Sequence, residues 1–187
     1  MKTTYTIDIA GMKRELTLCR LNDSMFIGAF VMFGDVELTI HCARELLKVV
    51  PEYDYILAPE AKSIPLLYEM ARQAGHNKYL LARKGRKLYM KEPFEVSVRS
   101  ITTDHEQKLC LDRADADLMK GKRILIIDDV VSTGESLEAV KKLVDVSGGI
   151  TVGCAFVLAE GDAAKRDDII YLQKLPLFDA DGEPIPG

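Results

Sequence analysis

The stretch RILIIDDVVSTGESLEAV, residues 123 to 140, restricts the possible folds more than any other part of the chain. Ile124 to Ile127 are apolar at every position, and a strand without polar alternation has both faces covered. The pattern recurs in YDYILA (53–58), KYLLA (78–82), TVGCAFVLA (151–159) and DIIYL (168–172). Helical spacing fills the gaps. Val36, Ile40, Ala43 and Leu47 follow an N-cap at Asp35 and stop before Pro51. Leu66, Met70 and Ala71 follow Pro65 and stop near Gly75, while Leu137, Val140, Leu143 and Val144 run to Gly148-Gly149. Buried strands alternating with amphipathic helices predict an α/β fold, a mostly parallel twisted sheet with helices on both faces.

The remainder is more irregular. Tyr5, Ile7 and Ile9, a turn at Gly11, then Leu16 and Leu18 predict an N-terminal hairpin. MFIGAFVMFG (25–34) reads as a buried strand or loop. Residues 83 to 121 are polar, with EVSV (95–98) and LCL (109–111) as the arms of a long hairpin. With 187 residues the expectation is one domain over 1–187: an N-terminal segment 1–34, a core 35–178, and a turn-rich tail 179–187 that frays.

A net charge of −4 argues against a nucleic-acid partner. No run approaches the roughly 18 to 20 apolar residues of a membrane span, and the first residues lack the apolar core of a secretory signal. Cys19, Cys42, Cys110 and Cys154 are scattered and read as small buried hydrophobes in a reducing compartment, so a cytoplasmic location is expected.

Asp128 and Asp129 fall just beyond the apolar run, at the strand edge where open α/β sheets bind ligands. Two adjacent carboxylates repel and resist desolvation, so a ligand must favour them. After them, Val131-Ser132-Thr133-Gly134-Glu135-Ser136 leads into a helix N-terminus. Hydroxyls, successive N–H groups and the helix dipole there suit a phosphate monoester, and Gly134 permits close backbone approach. Caps alone explain the hydroxyls but not the acids. A phosphate beside two acids makes sense if the acids hold sugar hydroxyls or a divalent cation. A Walker loop and a GxGxxG fingerprint are both missing. A response-regulator receiver needs more chain downstream of its acids than remains here.

IIDDVVSTGES resembles the 5-phosphoribosyl 1-diphosphate (PRPP) motif of type I phosphoribosyltransferases. The resemblance implies that family's fold with a small hood lobe. It also implies transfer of the 5-phosphoribosyl group from PRPP to a purine with release of pyrophosphate. Asp128 and Asp129 would contact the ribose hydroxyls, and Val131 through Ser136 would hold the 5′-phosphate. APEAKSIPLLY (58–68) resembles the pyrophosphate loop of adenine-type members, which implies contacts from Glu60, Ala61, Lys62 and Ser63. Lys62-Ser63 stands where the family has Arg-Gly; a lysine meets phosphate as a point charge, not as a fork.

The basic run ARKGRKLYMK (82–91) is a solvated charge run or, on the resemblance, the segment reaching the diphosphate through Arg83, Lys84 and Lys87. Residues 95–112 resemble the hood that closes over the reaction. Here Ser100, Thr102, Thr103, Asp104, His105 and Glu106 stand where adenine enzymes carry a tyrosine and a glutamate. His105 is a hood contact or an idle surface residue. Phe26 or Phe33 stacks on the base or packs the core; Val130 is a further base contact, and Glu160 touches the base or caps the turn at Gly161. The resemblance implies Mg2+ as cofactor, carried with PRPP near Asp128 and Asp129, and a homodimer. Adenine is the favoured base. The alternatives are hypoxanthine, guanine or xanthine, or a non-catalytic PRPP sensor on the same fold.

Overall fold

The computed structural model describes residues 2–99 and 106–185. Its centre is a five-stranded, all-parallel sheet ordered β10-β9-β8-β4-β5. The strands are β4 (Tyr55–Pro59), β5 (Leu80–Ala82), β8 (Arg123–Val131), β9 (Ile150–Glu160) and β10 (Ile170–Leu175). Successive residues of β8 point to opposite faces, so Leu125 and Ile127 enter one core and Ile124 and Ile126 the other. Helices α1 (Val36–Leu47) and α2 (Ile64–Gln73) cover the first core; α3 (Arg113–Met119) and α4 (Glu135–Val146) cover the second. The expected α/β architecture is the one observed.

β8 runs on through both aspartates to Val131, beyond the apolar run, because the eleven-residue β9 offers a partner as far as Ala159. Helix α3 has no counterpart in the sequence reading. It has seven residues and buries only Ala116 and Met119, too few for a helical period to register.

The N-terminal hairpin is β1 (Thr4–Ile9) with β2 (Met12–Arg20), extended by β3 (Phe26–Ala29) into an antiparallel sheet. Alternation in β2 turns Leu16 and Leu18 inward and Cys19 outward, which corrects the expectation of four buried cysteines: Cys42, Cys110 and Cys154 are buried, Cys19 is exposed. The tail is hydrogen-bonded as far as Ile185, contrary to the expected fraying. Phe26 and Phe178 exchange N–H···O bonds of 2.8 and 2.9 Å, Lys2 N–H donates to Asp181 O at 2.9 Å, and Ile185 N–H donates to Leu177 O at 2.8 Å. The fully buried Phe178 anchors this turn against Leu18 and Phe26.

The predicted hood hairpin is β6 (Phe94–Arg99) with β7 (Glu106–Leu111). Val96, Leu109 and Leu111 pack it onto the α4 side of the sheet. Arg83 and Cys110 exchange two backbone hydrogen bonds of 2.8 Å, which stitch this hairpin to the end of β5.

Asp35 caps α1 as expected, its Oδ1 accepting from Leu38 N–H at 3.0 Å. Arg14 of β2 donates to the same carboxylate at 2.6 and 3.1 Å, fastening hairpin to helix. The Arg14 guanidinium holds the Asp35 carboxyl below the usual range, outweighing burial, with help from the Leu38 N–H. Stability from this lowered pKa is present above the unfolded value of about 4 and is lost as pH falls through the folded one. Asp35→Ala is expected to destabilise the protein by about 1–2 kcal/mol at neutral pH. In denaturant titrations the difference from the parent protein should shrink as pH falls below the ordinary aspartate range and through the lowered folded-state value.

Candidate active site

β8, β4 and β5 are neighbours, so the segments leaving their carboxyl ends meet at one edge of the sheet. They enclose a cleft of about 460 Å³. Asp128, Asp129 and Ser136 line it together with Lys62, Lys84 and Lys108 and with the β4 loop from Pro59 to Ala61. An acid pair thus faces three lysines brought in by three different elements. Lys108, on β7, is the one that sequence reading missed. Its signal was a lone cation directly before the apolar run Leu109–Leu111.

Asp129 is 5% exposed. Its Oδ1 accepts from Val130 N–H at 2.9 Å, while Oδ2 is one of three buried side-chain polar atoms without a hydrogen-bond partner among the described residues. Asp128 Oδ1 accepts from Asp129 N–H at 2.9 Å. Burial, and then the charge of Asp129, push the Asp128 carboxyl far above the usual carboxylate range. A raised folded-state pKa favours the protonated fold, so this contribution to stability is complete below about pH 4 and disappears as pH rises through the elevated value. Asp128→Asn is therefore expected to raise the melting temperature of the ligand-free protein at pH 8 by more than at pH 5, as read by scanning calorimetry.

The β4 loop has a cis peptide between Glu60 and Ala61. Glu60 lines the cleft as well, and both its oxygens are engaged by neighbours: Oε2 accepts from Arg83 Nε at 2.6 Å and Oε1 from Lys84 N–H at 2.7 Å. Burial alone would raise its pKa, but those two donors, with the charges of Arg83 and Lys87, keep it below the usual range. Arg83, which also donates to Tyr89 Oη at 2.8 Å, is held as a brace, and Lys84 reaches the cleft. Lys87 does not line the cleft; its N–H donates to Met90 Sδ at 3.4 Å. Ser63 is fully buried, its hydroxyl donating to Pro59 O at 2.6 Å, so at the altered Lys62-Ser63 pair the serine ties the loop down and the lysine lines the cleft.

Between β8 and α4, Val131 is buried in the core and offers the site only its backbone, whereas Ser132, Thr133 and Ser136 are exposed. Gly134 adopts φ +83°. Thr133 Oγ1 accepts weakly from Glu135 N–H at 3.4 Å. A second cavity of about 670 Å³ is lined by Met25, Ile27 and Leu177 together with the polar Ser132, Thr133, Glu160, Asp162 and Arg166. Burial raises the Glu160 carboxyl, opposed by the charge of Lys62.

Phe26 belongs to the core: β-strand alternation turns it onto Leu18 and Phe178 and turns Ile27 toward the cavity. Phe33 lines neither cavity, and Val130 is half-buried against the α1–α2 core. Ser100, Thr102, Thr103, Asp104 and His105 lie outside the described residues. Glu106 opens β7.

The sequence from residue 38 to 184 matches the family model described as "Phosphoribosyl transferase domain". The chain belongs to this phosphoribosyltransferase family. It is 34% identical over 132 residues to the adenine phosphoribosyltransferase of Streptococcus uberis, covering 68% of this chain and 72% of that one. It is 32% identical over 149 residues to the corresponding protein of Thermosipho africanus, with coverages of 75% and 84%. The crystal structure of adenine phosphoribosyltransferase from Thermoanaerobacter pseudethanolicus superimposes with a TM-score of 0.61 at 26% identity, over 74% of this chain and 80% of that one. The fold is that of the type I phosphoribosyltransferases.

Proposed function

We propose that this chain transfers the 5-phosphoribosyl group from PRPP to adenine, releasing pyrophosphate. The observation that carries this reading is the acid pair, Asp129 buried and Asp128 half-buried, sharing one cleft with Lys62, Lys84 and Lys108. Such an arrangement suits a substrate that is neutral and hydroxyl-bearing at one end and multiply anionic at the other. The base preference follows the adenine phosphoribosyltransferases at 32% and 34% identity.

Asp128 and Asp129 orient the ribose by accepting from its hydroxyls. As a purine ring nitrogen attacks C1′ and the bond to pyrophosphate breaks, positive charge grows on the sugar and negative charge on the leaving group. The acids favour the first and the three lysines the second. Ser132, Thr133, Gly134, Glu135 and Ser136 hold the 5′-phosphate through hydroxyls and backbone N–H groups at the start of α4. Glu60 keeps Arg83 and Lys84 in position for the diphosphate. Glu160, in the wall of the second cavity, meets the base.

Mg2+ fits the site: the acids are hard oxygen donors, and Asp129 Oδ2 is buried without a partner. Asp128 and Asp129 would hold it jointly with oxygens of PRPP, and when bound it supplies charge neutralisation to the leaving diphosphate. The proposed homodimer uses the apolar face formed by Val31, Phe33, Val36, Ile40 and Tyr68, all at least 40% exposed. Among the described residues no helix is long and apolar enough to cross a membrane, and the cytoplasm is the proposed location.

The test is pyrophosphate release from PRPP and Mg2+ with adenine, hypoxanthine, guanine, xanthine and orotate in parallel. Turnover with adenine above the others is expected. Tight PRPP binding without turnover on any base would replace the enzyme with a sensor.

A further inference from the structure

Arg166 follows the short 3₁₀ turn Gly161–Lys165 and was not singled out from the sequence. Its guanidinium lies against the loop between β8 and α4: a Cβ built on Gly134 would stand 2.7 Å from Arg166 Nη1. The same side chain lines the second cavity together with Ser132 and Thr133. Its direction is set from behind. Nε donates to Asp168 Oδ1 at 2.8 Å and Nη2 to Asp168 Oδ2 at 2.7 Å, and this two-point grip turns Nη1 to the loop. Lys141 also reaches Asp168, at 3.1 Å, so the anchoring carboxylate is shared by two cations.

The charge balance of the loop gives this geometry a purpose. Val131 to Ser136 contain no cation, and the first turn of α4 carries Glu135 and Glu138, which oppose an incoming dianion. Backbone N–H groups and hydroxyls alone would meet a phosphomonoester beside two like charges. Arg166, 29% exposed at its side chain and with Glu138 Oε1 at 3.7 Å, is the cation in contact with this loop. A neutral structural brace would need no free donor aimed at Gly134.

We propose that Arg166 is a specificity-determining contact for the 5′-phosphate of the ribosyl substrate, held in register by Asp168. The inference rests on the proposed reading of the loop as the phosphate site. It makes Arg166 the residue that separates a ribose phosphomonoester from the diphosphate, which the lysines of the other cleft hold.

The experiment compares ribose 5-phosphate and inorganic pyrophosphate, each with Mg2+, binding to the full chain and to Arg166→Gln by calorimetry. Arg166→Gln should weaken ribose 5-phosphate about tenfold or more and change pyrophosphate affinity less than about twofold. In turnover, KM for PRPP should rise while kcat stays within about threefold. Arg166→Lys, which keeps the charge and the fold but loses the fork, should fall between the two. Equal weakening of both anions, or an unchanged affinity for ribose 5-phosphate, would overturn the assignment. Parent protein that binds pyrophosphate but not ribose 5-phosphate would overturn the reading of the loop itself, and this inference with it.

Discussion

The double variant Asp128→Asn, Asp129→Asn is expected to lose PRPP affinity by about 10–10²-fold while keeping its fold. Each carboxylate accepts charge-assisted hydrogen bonds, worth about 1.5–3 kcal/mol apiece, and an amide of the same shape returns roughly half of that. Two weakened contacts therefore amount to about 1.5–3 kcal/mol. The effect on stability runs the other way. Two acids at the end of a buried strand repel, and the raised Asp128 pKa expresses that repulsion together with burial. Removing the charges should leave the melting temperature unchanged or higher. Calorimetric titration with Mg2+ and PRPP reads the first effect and thermal unfolding the second. Affinity within twofold of the parent would end the ribose assignment, and a collapsed melting transition would make the acids structural.

The second large effect is expected at Glu60. Its carboxylate is the single acceptor for Arg83 Nε and Lys84 N–H, joining the loop after β4 to the loop after β5. Glu60→Ala leaves a half-buried guanidinium without its anion and releases the backbone of a lysine that lines the cleft. The expected result is a fall in kcat/KM of about 10–100-fold, because misplacing a catalytic contact by an ångström has costs of that order. Glu60→Gln keeps an acceptor for one donor and should recover part of the loss. Steady-state kinetics with PRPP varied is the measurement. An Ala variant within twofold of the parent would mean the loops hold themselves.

Much of the architecture was legible because its signals are local. Fully apolar strands, the cap at Asp35 and the acid pair each announce themselves within a few residues, and the observed sheet, helix and strand edge follow. The contributions that escaped are those of tertiary geometry. Lys108 reaches the cleft only because β7 is stitched beside Arg83, and Arg166 meets Gly134 only because the chain returns past α4 after β9. Glu60 was legible as a member of the loop but not as its brace, since its partners lie 23 and 24 residues away. Phe26 and Ile27 show the limit at its finest: adjacent apolar residues, of which strand phase alone decides which one faces the cavity.

The bond pair between Arg83 and Cys110 also has a mechanical side. Through it the hood hairpin grips β5, and through Glu60 the end of β5 grips the loop after β4. Lys108, Lys84 and Lys62 thus ride on one linkage with three bearings. A pull on the hairpin should reach all three, so a diphosphate held as proposed would be seized and let go in a single stroke and not one cation at a time. A dye placed at Leu88, which is fully exposed on the middle link, would then report the movement of the whole train.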